Sequence, residues 1–180
     1  MDNFDKYSVD LLEEAKRFLE LAKKQQGTAG EKAYLHAALL VSISSLEAFI
    51  NGIADDFKDS SAFNLHEKAF LEEREVILEK GKFKITNRLK MTRLLERIEF
   101  LFNKFKPNSL SKDADWWSKL KEGILLRKAL VHPKEFSDIQ YKDVEFTIRA
   151  VISCINQLFL TIYKRSFPGF SLGLESKLNF

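Results

Sequence analysis

Ala33-Tyr34-Leu35-His36-Ala37-Ala38-Leu39-Leu40-Val41-Ser42-Ile43-Ser44-Ser45-Leu46-Glu47-Ala48-Phe49-Ile50 is the stretch that decides how this chain folds. It is apolar around most of a helical circumference, and such a helix has to be enclosed by others. The reading predicts a helix from about Glu31 to Phe57 at the centre of a bundle. His36, three serines and Glu47 make the stretch a poor membrane span and a good buried helix, so no membrane partner is expected.

The rest of the chain supplies the surrounding helices. With 180 residues, 45% of them apolar and 31% charged, it can bury one sizeable core. Seven Gly and three Pro leave few turn markers, which favours helices over many short strands. The expected fold class is therefore all-α, a single-domain bundle of five or six helices over residues 1–165, followed by an irregular tail over 166–180. Phe167, Phe170, Leu172 and Leu174 would dock that tail on the body or on a partner.

Leu11, Leu12, Ala15, Phe18, Leu19 and Ala22 recur at helical spacing, with Lys23 and Lys24 near the expected end. Asn64 and Glu67 have capping-box spacing ahead of a shorter helix that carries Glu72-Glu73-Arg74-Glu75 and stops at Gly81. Leu89, Leu94, Leu95, Ile98, Leu101, Phe102 and Phe105 predict a further helix between Ile85 and Phe105. The next opens near Asp113 and ends before Pro133, and the last runs from Ser137 or Tyr141 to Tyr163. Cys154, the single cysteine, falls within that last apolar segment and reads as a small core hydrophobe. The lone cysteine and an acidic, mixed N-terminus without a secretory pattern fit a cytoplasmic, reducing compartment.

Two charges stand out against apolar surroundings. Glu47 is the only charged residue between Lys32 and Asp55 and shares a stripe with His36, Leu40, Ile43 and Asn51. Arg127 lies between Ile124 and Val131 on the next-to-last helix. An isolated buried charge costs several kcal/mol or loses its ionisation, so each needs a partner. The planar guanidinium fork suits a carboxylate, and Glu47 or Asn51 is expected within reach of Arg127. The pair reads equally as a structural clamp between core helices or as part of a site. His132 follows five residues after Arg127, kept out of the helix by Pro133, and a histidine there either caps the last carbonyls or does acid–base work.

Other signals are weaker. Lys82, Lys84, Arg88, Lys90, Arg93, Arg97, Lys104 and Lys106 face only Glu96 and Glu99, so residues 82–106 carry +6 in a chain of net +3. That segment is a candidate phosphate-binding face for RNA or simply a solvated helix surface. His36 and His66 lack companions at metal-ligand spacing, so no metal is expected. No phosphate-binding glycine loop, nucleophile elbow or dinucleotide fingerprint is present, and no cofactor is expected. Trp116 and Trp117 read as packing residues ahead of base-stacking ones.

Leu126-Arg127-Lys128-Ala129-Leu130-Val131-His132-Pro133, with one long helix after it, resembles the Arg-x4-6-His motif of the HEPN superfamily. Ser44-Ser45-Leu46-Glu47-Ala48-Phe49-Ile50-Asn51 resembles the inner helix of many HEPN proteins. The resemblance implies a HEPN-like helical bundle that forms a homodimer with the two motifs facing across a cleft. Its active members are metal-independent endoribonucleases of toxin–antitoxin or phage-defence type, held by an antitoxin or regulatory partner. Others are non-catalytic scaffolds or nucleotide- or partner-binding proteins. Carried onto this chain, Arg127 and His132 would be catalytic, with Glu47 and Asn51 in support. Lys128 departs from the small or medium polar residue usual after the arginine.

Overall fold

The computed structural model describes residues 3–134 and 138–180. It is 63% helix, in the order α1 Asn3–Lys24, α2 Ala29–Asp56, α3 Leu65–Leu71, β1 Arg74–Glu79, β2 Lys82–Leu89, α4 Leu94–Phe105, α5 Asp115–Val131 and α6 Tyr141–Ile162. A 3-10 turn at Phe170–Leu172 follows. The expectation of an all-α bundle of five or six helices holds in its mostly helical character, to which the structure adds one two-stranded sheet.

α2 is the inner helix that its composition demands. Leu35, Leu39, Ile43, Leu46 and Ile50 are all at most 2% exposed, and α1, α5, α6, α3 and α4 each pack against α2. It meets Leu12 and Leu19 of α1, Ile98 and Leu101 of α4, Trp117 and Leu120 of α5 and Ile148, Val151 and Ile155 of α6 in one apolar cluster. α2 and α6 are long and apolar enough to cross a membrane by length and composition alone, and more than half of each apolar window is buried inside the protein.

The element bounds follow local chemistry. Asn64 accepts from the Glu67 N–H while Glu67 accepts from the Asn64 N–H, the reciprocal pair that opens α3. At the start of α6 the Gln140 N–H donates to Asp143 Oδ2 at 3.1 Å, and the Asp143 N–H donates to the Gln140 carbonyl at 3.1 Å; Ser137, the alternative start, lies outside the described residues. Pro133 has the anticipated effect: His132 closes α5 at φ −127° and ψ 66°, outside the helical region.

Two expectations are corrected by a β-hairpin. The helix expected to continue through Glu72-Glu73-Arg74-Glu75 stops at Leu71, and the helix expected from Ile85 begins only at Leu94. Between them β1 and β2 pair antiparallel, with Val76 opposite Ile85, Leu78 opposite Phe83 and Glu79 opposite Lys82. The register leaves a two-residue loop, Lys80-Gly81, with φ of 49° and 76°. That is the left-handed geometry a tight hairpin needs, and glycine adopts it freely. Alternation puts Val76, Leu78, Phe83 and Ile85 on one face of the hairpin and Lys82 and Lys84 on the other.

The segment after α6 packs back on the body. Phe167 is 4% exposed against Phe49 and Phe159, and its N–H donates to Asn156 Oδ1 at 3.0 Å. Beyond it, Ser176 and Lys177 bind Glu13 and Glu20 of α1.

Candidate functional site

α2 and α5 bring Glu47 and Arg127 together. Both are half-buried, and burial pushes the Glu47 carboxyl above its ordinary range, opposed by the positive charges of Arg127 and Arg97 and reinforced by the negative charge of Glu73. Among the described residues Glu47 and Arg127 form no ion pair within 4 Å, so they are electrostatic neighbours rather than a closed fork. Arg127 Nε is buried without a hydrogen-bond partner among those residues. The buried Nε of Arg97 is likewise unpartnered among those residues, and buried donors of this kind are uncommon.

Of the alternatives expected beside Arg127, Glu47 or Asn51, it is Asn51 that another arginine engages. Its Oδ1 accepts from Arg97 Nη2 at 2.5 Å. Arg97, placed by its sequence among the phosphate-binding candidates, is only 2% exposed and is corrected to a buried brace. The same Nη2 donates to the Leu71 carbonyl at 2.6 Å, and Nη1 reaches Glu73 at 3.4 Å. Glu73, at φ 54°, also accepts from the Thr92 N–H at 2.9 Å. One guanidinium thus joins α2, the end of α3 and both ends of the hairpin. Sequence reasoning missed this role because the cation sits in a run of solvent-type charges; the signal available was its place between Leu94 and Ile98.

His132 lies one and a half turns after Arg127, at the end of α5. It is exposed, and its N–H donates to the Lys128 carbonyl at 2.9 Å. Lys128 and Val131 are exposed beside it. The ring is therefore presented to solvent at the helix end while Arg127 is held against α2.

The remaining basic candidates stand apart from these residues. Lys82, Lys84 and Arg88 are on β2, and Lys90 and Arg93 are in the link to α4, all exposed. The face expected on one helix is therefore a hairpin and its exit. Lys84 faces Glu79 at 3.5 Å, Arg88 faces Glu75 at 3.7 Å and Arg93 faces Glu96 at 3.7 Å. Trp117 is 1% exposed in the core, with Trp116 packed edge-on against it. Among the described residues no three His, Cys, Asp or Glu side chains are grouped to hold a metal ion.

What the fold and this arrangement define is a predominantly helical protein with a half-buried carboxylate on its central helix, an arginine near it on the neighbouring one and an exposed histidine at that neighbour's end. Comparison with protein-family models, with curated proteins and with solved structures returned no significant match.

Proposed function

We propose that this chain is a metal-independent endoribonuclease of HEPN type, a toxin or antiviral effector acting in the cytoplasm as a homodimer under a regulatory partner. The observation that supports it is the division of the motif: Arg127 is held beside Glu47 with an unsatisfied Nε, while His132 leaves the helix and is exposed.

In this reading His132 takes the proton from a ribose 2′-hydroxyl. The oxygen attacks the adjacent phosphorus, the bond to the 5′-oxygen breaks, and a cyclic phosphate and a 5′-hydroxyl result. Arg127 stabilises the extra negative charge of the transition state. The second copy of His132 across the dimer protonates the leaving oxygen. Glu47 keeps Arg127 oriented, and Lys128 adds a phosphate contact. Asn51 acts at one remove, by fixing Arg97.

The test is incubation of the purified chain with structured and single-stranded RNA in a chelator. Cleavage should persist there, should spare DNA, which lacks the 2′-hydroxyl, and should vanish in Arg127→Ala and in His132→Ala. Intact RNA with the wild-type chain, or equal cleavage by the variants, would leave the non-catalytic scaffold or partner-binding reading in its place.

A further inference from the structure

The hairpin does not close onto α3. Its apolar face leans toward the helix, with Phe83 edge-on to His66 at 5.2 Å, yet Phe83 is 58% and Leu78 65% exposed. Between them is a cavity of about 410 Å³ lined by His66, Phe70, Arg74, Val76, Phe83 and Lys90, among others. That is within the range of roughly 300–1,000 Å³ typical of small-molecule sites. An adjoining hollow of about 510 Å³ shares His66, Phe70 and Phe83 and extends to Phe100.

The lining has two chemistries. His66, Phe70 and Phe83 offer aromatic surfaces, and Arg74 and Lys90 offer positive charge. Arg74 is fixed in place, with Nη1 donating to the Asn87 carbonyl at 2.7 Å. Lys90 makes no ion pair among the described residues. Glu67, which lines the adjoining hollow, is paired with Lys104 at 2.8 Å. An aromatic wall beside unopposed cations is how proteins hold an unstacked base and its phosphate.

We infer that the cavity between α3 and the β-hairpin is a nucleotide subsite for single-stranded RNA, with a base stacked on Phe83 and Phe70 and its phosphate at Arg74 and Lys90. The inference deepens the ribonuclease reading and rests on it for the choice of RNA as ligand. The site is joined to the Arg127 region: Arg74 follows Glu73, which binds Arg97 and Thr92, and Arg97 in turn binds Asn51, one helical turn beyond Glu47.

The measurement is fluorescence anisotropy of the full chain with a labelled 2′-O-methyl uridine decamer, which cannot be cleaved by 2′-hydroxyl attack, and with an abasic decamer of equal charge. Phe83→Ala should weaken decamer binding roughly fivefold or more, the smaller end of what losing one base–aromatic stack produces. It should leave abasic binding unchanged, and Phe83→Trp should restore affinity. Lys90→Ala should weaken both ligands. The exposure of Phe83 lets the alanine variant fold, which an unchanged thermal midpoint would show. Failure of the wild type to bind the decamer, or equal binding by Phe83→Ala, overturns the subsite. RNA cleavage with Phe83-independent binding removes the subsite and keeps the ribonuclease; Phe83-dependent binding without cleavage does the reverse.

Discussion

Arg97 and Glu47 are two charges at the same helix junction, and for each of them burial outweighs the opposite charges beside it. Arg97 has lost its water and gained Asn51, Leu71 and Glu73. Burial lowers its pKa while Glu73 and Glu47 raise it. Replacing it by Met leaves Glu73 and the Leu71 carbonyl short of a donor. Breaking a buried pair in this way costs about 3–5 kcal/mol; because Glu73 is 20% exposed, a loss near the bottom of that range, about 3 kcal/mol, is expected in urea unfolding. Glu47 differs in its partners: among the described residues it has no ion pair within 4 Å, and desolvation outweighs its cationic neighbours. Its folded pKa lies above the ordinary value of 4.5, so the native state binds more protons in the window between the two. The stability associated with its neutral form is complete below about 4.5 and is lost as pH rises through the folded pKa. Glu47→Gln should therefore flatten the stability–pH curve above 4.5 and be no less stable than wild type at neutral pH. A variant that is less stable there would mean that the attraction to Arg127 exceeds the cost of burial.

Elements differ in how openly the sequence declares them. α2 was legible because an all-round apolar surface has one stable location, and α3 because Asn64 and Glu67 satisfy each other at fixed spacing. The hairpin was hidden by its neighbours: Glu72 to Glu75 extend a helix-like charge run, and Leu89 follows Ile85 by four residues, a helical spacing. The contrary signal was present in Val76-Ile77 and in Lys82-Phe83-Lys84-Ile85, which alternates with period two after Lys80-Gly81. Arg127 and His132 were readable because each is anomalous in its own segment, whereas the capture of Asn51 by Arg97 depends on how α4 meets α2. The α5–α6 contact was also invisible in sequence. At Gly123, one turn before Arg127, an added Cβ would lie 2.9 Å from Thr147 Cβ and closer still to its Oγ1 and Cγ2. Gly123→Ala gains about 1 kcal/mol of helix propensity, but overpacking typically costs about 1–3 kcal/mol. The clash should win, because it involves Thr147 Cβ itself and no rotamer relieves it. Lower stability and reduced RNA cleavage are expected in Gly123→Ala, and Thr147→Gly in the same chain should recover cleavage by readmitting α5. Unchanged stability in the single variant would show that the helices separate without strain.

Across the whole molecule, the segment after α6 closes the bundle on the side of α1. Lys16 of α1 is fully buried with Glu13 at 2.8 Å, and the Lys177 N–H of the tail donates to that same Glu13 at 2.6 Å. The tail also seats Phe167, whose burial contributes about 1.5–3 kcal/mol. At this chain length each kcal/mol corresponds to roughly 2–4 °C, so truncation after Ser166 should lower the thermal midpoint by at least about 3 °C. Cys154 distinguishes a global effect from a local one. Its side chain is 0% exposed, and burial holds the thiol far above its ordinary pKa, so a thiol reagent reaches it only when α6 leaves the core. If the tail stabilises the bundle as one cooperative unit, the truncated chain should label faster by the factor its measured loss of stability dictates, under conditions where reclosing outpaces labelling. Labelling faster than that factor would mean that α6 opens on its own once Phe167 is gone, and that the tail secures one helix rather than the whole fold.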